Sequence, residues 1–251
     1  MGDGTKVKVY GRNPIYEVIR ADRRRIYQLF VATGVDERGT LLDILDMAKR
    51  DGIPIDRVPR SLLDQESENH QGLVAIVDSY PYVSLVDILD RAAHIDEPPF
   101  VVLLDLIQDP QNFGSLLRTA EAVGVHGVVI PKRRGVGVTE SVVRASSGAC
   151  EHLLIARDNL VETIKRLKAA HVWLVGLEND PQGQRLEEVD LSGPVGLVIG
   201  SEAKGMRRLV RESCDFLVQL PMRGRVESLN ATVAGSIALY AIWKTRGYQG
   251  A

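Results

Sequence analysis

The chain has 251 residues, 45% of them hydrophobic and 25% charged, with a formal net charge of −2. That is an ordinary globular composition, with enough apolar residues for one large core or two small ones. It excludes a bulk polycation, so any nucleic-acid binding has to come from local basic patches.

The two cysteines, Cys150 and Cys214, are far apart and lack a CxxC partner. They point to a cytosolic (cytoplasmic) protein without structural disulfides or zinc. No apolar run reaches the roughly 18–20 residues of a membrane span, and the opening MGDGTKVKVYG has no signal-peptide core.

In chain order, Asn13-Pro14 reads as an N-cap followed by proline at the first helical position, with a helix over Ile15–Ala21. Ile26–Ala32 is apolar and β-prone. The spacing of Leu41, Leu42, Leu45 and Ala48 predicts a helix that stops before Gly52. A strand at Ile53–Val58, a short helix capped by Ser61 and a strand at Leu73–Val77 complete a small α/β unit, residues 1–80. Residues 81–98, from a Tyr-Pro turn to Asp96-Glu97-Pro98-Pro99, read as a linker holding one amphipathic helix, Leu85–Ala93.

From residue 99 to 251 apolar runs and helical patterns alternate. Strands are expected at Val101–Ile107, Gly127–Pro131, Leu153–Ala156, Val172–Leu177, Val195–Gly200 and Phe216–Leu220. Helices are expected at Ser115–Val123, Thr139–Ser147, Val161–Ala170, Gly205–Ser213 and Leu229–Lys244. Near-continuous apolar strands separated by helices argue for an α/β fold with a parallel sheet covered on both faces. In such sheets ligands gather at the carboxyl ends of the strands. Three polar loops fall there: one opening at Asp109, one at Gly200–Gly205 and one at Leu220–Asn230.

No G-x-G-x-x-G follows the first strand of this region, so dinucleotide dehydrogenases and the common Rossmann-type methyltransferases fit poorly. The GSEAKGM stretch at 200–206 is either a plain turn or a cradle of backbone N–H groups for a polar cofactor edge. In LPMRGRVESLNATVA, Ser228 reads as an N-cap, which leaves Asn230 in the first helical turn, where asparagine is a poor residue. Arg118 is either a solvated arginine or a phosphate or carboxylate contact near the Asn112 turn. Arg20, Arg23, Arg24 and Arg25, Lys132, Arg133 and Arg134, and Arg223 and Arg225 are basic clusters; each is either solvated surface or an RNA contact. The five histidines show no metal spacing, and no hydrolase triad stands out.

Three stretches in order, DPQNFGSLLRTAEAVG at 109–124, LVIGSEAKGM at 197–206 and LPMRGRVESLNATVA at 220–234, resemble the SpoU/TrmH family of RNA ribose 2′-O-methyltransferases. YGRNPIYEVI near the start and HQGLVA at 70–75 are similar to the ribosomal-protein-like substrate domain of its rRNA-modifying, RlmB-type branch. The resemblance implies a SPOUT-type methyltransferase domain with a C-terminal trefoil knot, S-adenosylmethionine as cofactor without a metal, a homodimer, and a guanosine of 23S-type rRNA as substrate. It places cofactor contacts on Gly200, Leu220 and Leu229, and catalytic roles on Asn112, Arg118, Glu202, Ser228 and Asn230. The chain departs from the family pattern at Ala203, Glu227 and Ala231-Thr232. The alternatives are a tRNA ribose methyltransferase and a non-catalytic RNA-binding or ribosome-assembly protein of the same fold.

Overall fold

A computed structural model describes residues 5–133, 135–180, 183–202, 204–226 and 228–250. Arg134, Ala203 and Glu227, all named above, lie outside the described residues. The chain divides into two compact units, residues 1–81 with 138–152, and residues 82–137 with 153–251.

In the first unit the elements run β1 (Lys6–Tyr10), α1 (Arg12–Ala21), β2 (Ile26–Ala32), α2 (Thr40–Arg50), β3 (Ile55–Val58), α3 (Arg60–Asp64) and β4 (Leu73–Asp78). The sheet order is β1-β4-β2-β3, antiparallel except for the β2–β3 pair. Strand β1 adds to the elements expected from sequence. Helix α1 starts earlier than expected, because Gly11 at φ 90° takes the N-cap position. Pro14 then falls in the first turn, where its missing N–H costs nothing. Pro59, not Ser61, precedes α3.

The same unit holds a distant stretch, helix α6 (Glu140–Ala145) and the 3-10 turn Ala149–His152. Arg24 fastens it. Its Nε donates to Glu151 Oε2 at 2.9 Å, a second nitrogen pairs with Oε1, and both side chains are buried, at 2% and 1% exposure. Arg23 donates to the Glu151 carbonyl at 3.0 Å, and the Tyr80 hydroxyl donates to that of Cys150. Burial pushes the Tyr80 hydroxyl and the Cys150 thiol well above their usual pKa values.

The second unit runs α4 (Leu85–His94), β5 (Phe100–Leu104), α5 (Pro110–Ala122), β6 (Gly127–Pro131), β7 (Leu154–Asp158), α7 (Leu160–Ala169), β8 (Trp173–Leu177), β9 (Gln184–Arg185), β10 (Val195–Ile199), α8 (Arg208–Glu212), β11 (Phe216–Gln219) and α9 (Ala231–Thr245). Its seven strands are all parallel, in the order β7-β6-β5-β10-β8-β11-β9. Every residue of β5, β6 and β10 is buried, as strands covered on both faces require. Strand β10 is laid down after β8 yet lies between β5 and β8.

The stretch expected as a linker is built into this unit from Tyr82 onward. Ser84 and Asp87 form a capping box at the start of α4. Ile88 packs so close to β6 that a β-carbon on Gly127 would come within 2.5 Å of it. At the other end, Arg246 donates to the carbonyls of Pro98, Pro99 and Gly193 and lies 4.8 Å from the Phe100 ring centroid. Burial lowers its pKa to about 10.

Candidate active site

The loops after β5, β10 and β11 stand at the carboxyl edge of the sheet because all three strands are parallel. Each next element starts where a polar residue stops the strand pattern. After β5, Asp109 caps α5, accepting from the Gln111 N–H at 2.6 Å, and Pro110 takes the first helical position. This puts Asn112 in the first turn.

After β10 the chain folds on itself. Ser201 and Gly205 exchange backbone hydrogen bonds at 3.1 and 2.8 Å. A β-carbon on Gly200 would come within 2.3 Å of the Gly205 carbonyl carbon and 2.4 Å of the Met206 nitrogen. Glycine at 200 is therefore required by the protein's own backbone. Gly205 sits at φ +60°, in the left-handed region that favours glycine. Beyond this turn Asp105, fully buried at the end of β5, accepts from Arg207 N and Nε, both at 2.7 Å. The turn is thus pinned to the neighbouring strand end. The expected helix from Gly205 begins only at Arg208 for this reason.

After β11, Asn230 rather than Ser228 is the N-cap of α9. Its Oδ1 accepts from Thr232 N at 2.9 Å and Val233 N at 3.3 Å. That frees its Nδ2, which donates to Glu202 Oε1 and, at 3.4 Å, to Asn112 Oδ1. Asn112 Nδ2 donates to the same Glu202 oxygen at 3.1 Å, and Thr232 Oγ1 to the Asn112 carbonyl at 3.2 Å. Only an amide can do both jobs at 230, since aspartate has no donor and serine is too short to reach. One residue from each of the three stretches therefore meets in a single cluster.

Two clefts flank this cluster. The smaller, about 220 Å³, is lined by Gly200, Leu220, Ser228 and Leu229 together with Glu178 and Glu202. The larger, about 430 Å³, is lined by Gln108, Asp109, Asn112, Glu202, Lys204 and Arg207. Ser201, Glu202 and Ala231 belong to both, so Glu202 stands on their common wall.

Arg118 lies further along α5. It is exposed, on the stripe of α5 shared with Gln111 and Ser115. Six residues along a helix set it about 120° round from Asn112 and about 9 Å up the axis.

The basic residues divide sharply. Arg24 is buried and Arg23 half-buried, both holding the 149–152 turn as described above, so Arg24 is corrected from candidate RNA contact to internal tie. Arg20 is exposed and pairs with Glu17 at 3.1 Å; Arg25 is exposed with its guanidinium 5.0 Å from the Tyr27 ring centroid. Lys132 pairs with Asp158 at 2.9 Å. Arg133, Arg223 and Arg225 are exposed. Among the histidines, His70 bonds Asp64, His152 bonds Glu17 and His126 accepts from Phe100 N, all structural contacts.

Asp105, Glu178 and Arg207 were absent from the residues singled out in the sequence. Their signal is the one that revealed the other loops: Asp105 and Glu178 are each the first acidic residue after an apolar strand. The Glu178-Asn179-Asp180 triplet marks a fourth loop at the same sheet edge.

Comparison with known proteins follows this geometry. The model of the SpoU rRNA Methylase family matches residues 99–240, and that described as RNA 2′-O ribose methyltransferase substrate binding matches residues 8–83. The chain is 45% identical over 240 residues to YacO of Bacillus subtilis strain 168, covering 95% of each chain. It is 39% identical to a Staphylococcus saprophyticus protein, covering 98% of each. Both carry names of the TrmH family of tRNA/rRNA methyltransferases. Among solved structures, the SpoU methyltransferase AviRb from Streptomyces viridochromogenes, in complex with AdoMet, is similar with a TM-score of 0.81 and 26% identity. That likeness covers 97% of this chain and 91% of AviRb. A SpoU model spanning the parallel-sheet unit and relatives matched over nearly their full length lead to one assignment: the chain belongs to the SpoU/TrmH family of RNA methyltransferases.

Proposed function

We propose that the protein transfers a methyl group from S-adenosylmethionine to the ribose 2′-hydroxyl of a guanosine in 23S-type rRNA, as a cytoplasmic homodimer of the RlmB type. The observation that carries this reading is the Asn112–Glu202–Asn230 cluster on the wall between two clefts. The smaller cleft suits the cofactor. Its turn has no side chain at Gly200, Leu220 and Leu229 offer apolar surface, and its carboxylates suit a cationic ligand.

When bound, S-adenosylmethionine would supply an electrophilic sulfonium methyl to the ribose oxygen, with a neutral thioether as leaving group and the hydroxyl proton passing to solvent. The protein's task is orientation and stabilisation of the developing negative charge on that oxygen. Asn112 and Asn230 hold Glu202 by two donated hydrogen bonds, so its carboxylate is fixed before any substrate arrives. Ser228 lines the cleft as a further positioning group. Arg118 is suited to the charge-stabilising role, since a guanidinium is a delocalised cation with a planar fork of N–H donors.

The dimer has its support on the second unit. Helix α9 supports association: Val233, Ile237 and Tyr240, one face of it, are 47%, 45% and 48% exposed. The late insertion of β10 and the packing of α9 on α5 and β10 support the trefoil knot. The domain matched at residues 8–83 supports RNA selection by the first unit, with Arg20 and Arg25, and on the second unit Lys132, Arg133, Arg223 and Arg225, as exposed contacts.

The test is transfer of label from S-adenosylmethionine to protein-free 23S rRNA fragments and tRNA transcripts, side by side, with alkali-resistant dinucleotides analysed in the product. Label mainly in tRNA overturns the rRNA reading; absence of resistant dinucleotides overturns ribose methylation. Arg118→Ala should lower the single-turnover rate by about 10²–10³ with cofactor affinity little changed.

A further inference from the structure

Among the described residues lining the smaller cleft, the charged ones are two carboxylates, Glu178 and Glu202. Glu202 accepts from two neutral amides, Asn112 and Asn230. Glu178 is held by an ion. Arg211 Nε donates to its Oε2 at 2.8 Å, and the same guanidinium pairs with Asp180. Two carboxylates thus share one guanidinium.

The other Glu178 oxygen is fixed as well. A β-carbon on Gly205 would come within 2.5 Å of Oε1, so this oxygen lies directly against the turn that closes the cleft. The Glu178 N–H donates to the Val218 carbonyl at 3.0 Å, which ties its backbone to β11. The carboxylate is thus held by Arg211 and stands against the Gly205 turn, with its side chain still 25% exposed. The cations of the neighbouring cleft, Lys204 and Arg207, do not line this one.

We propose that Glu178, oriented by Arg211, makes the cleft discriminate the sulfonium cofactor from its thioether product. The proposal rests on the cofactor reading given above. S-adenosylmethionine carries a sulfonium, an ammonium and a carboxylate, so its net charge is +1. S-adenosylhomocysteine has lost the methyl together with the sulfonium charge and is neutral overall. The two differ by one methyl in shape, which an apolar surface distinguishes weakly. They differ by a whole charge, which a fixed carboxylate distinguishes well. Partly screened by solvent, one such charge is worth about tenfold in affinity. The field is already in place before the ligand arrives, so turnover itself weakens the hold on the spent cofactor.

Isothermal titration of the full chain with each ligand tests this. The wild type should bind S-adenosylmethionine about tenfold tighter than S-adenosylhomocysteine. Glu178→Gln keeps the shape and one acceptor oxygen. It should cost the sulfonium about tenfold and the thioether less than about twofold, cutting the ratio by at least about fivefold. Equal losses for both ligands would mean that Glu178 only shapes the cleft, and would overturn the proposal; so would a wild type that binds both equally. A wild type that binds neither overturns the cofactor reading itself. Should Glu178→Gln fail to fold, two other measurements decide. Asp180→Asn should shrink the ratio by about two- to threefold. The wild-type ratio should also fall as salt rises from about 50 to about 500 mM. A ratio unmoved by both sinks the idea.

Discussion

Two buried carboxylates, one in each unit, show how the same ion pair serves different ends. Glu151 and Arg24 are both sealed from solvent and separated by 127 residues in sequence. Asp105 is equally buried, but its partner Arg207 keeps 41% of its side chain exposed and lines a cleft. The first pair is a rivet: neither group reaches a ligand, and its work is to hold residues 138–152 in a unit whose other part ends at residue 81. The second fixes a turn whose other groups face outward, with Glu202 five residues before Arg207. A wholly buried pair is costly to desolvate and costlier still to break on one side. A half-exposed arginine can turn to water when its partner is lost, so the turn it holds should loosen before the fold does.

Four variants test that contrast. Arg24→Ala should have the largest effect on stability, about 3–5 kcal/mol, because Glu151 is left charged and buried. Urea denaturation should show it, and Arg24→Met combined with Glu151→Leu should recover much of the loss. An equally large loss in the double variant would mean the pair is irreplaceable. Asp105→Ala should cost less, about 1–3 kcal/mol, and should lower cofactor affinity in a folded protein. Thermal melts and titration together check this; a loss as large as that of Arg24→Ala would erase the distinction between rivet and turn clamp.

Asn230→Ser separates the two jobs of one amide. Serine keeps the cap, so stability should change by less than about 1 kcal/mol, while the donor to Glu202 disappears and methyl transfer falls. Unchanged transfer would show that the cluster needs only the cap. The smallest stability effect belongs to Arg20→Ala. An i,i+3 pair at the surface is worth about 0.2–0.5 kcal/mol, so any marked fall in RNA affinity would be a loss of contact rather than of fold. Filter binding at two salt concentrations reads it out.

The two units also bear on truncation. A chain shortened to begin at residue 99 would lack α4, which packs on β6, and would strip residues 138–152 of their partners. Glu151 would then lose Arg24. Residues 1–81 are therefore not separable from the second stretch of their own unit by a single cut.

Much of the sheet was legible in the chain because the signals are local. Runs such as Val101–Leu104 and Val195–Ile199 are apolar throughout, and strands buried on both faces have no polar residue to disguise them. The three polar loops followed from those runs, and with them Asn112 and Asn230, whereas Glu202 was singled out only by the resemblance of LVIGSEAKGM to the family's second stretch. Short-range patterns could not decide which end of a loop caps a helix: Ser228 and Asn230 are both good N-caps, and the choice depended on Glu202 waiting to accept the asparagine's N–H. Nor could they sort four neighbouring arginines. Arg20, Arg24 and Arg25 are chemically alike, and Arg24 alone is buried because a glutamate from far along the chain folds back to meet it. Periodicity and capping belong to a few consecutive residues; the burial of a charge belongs to whichever partner the fold brings, and that is a property of the whole chain.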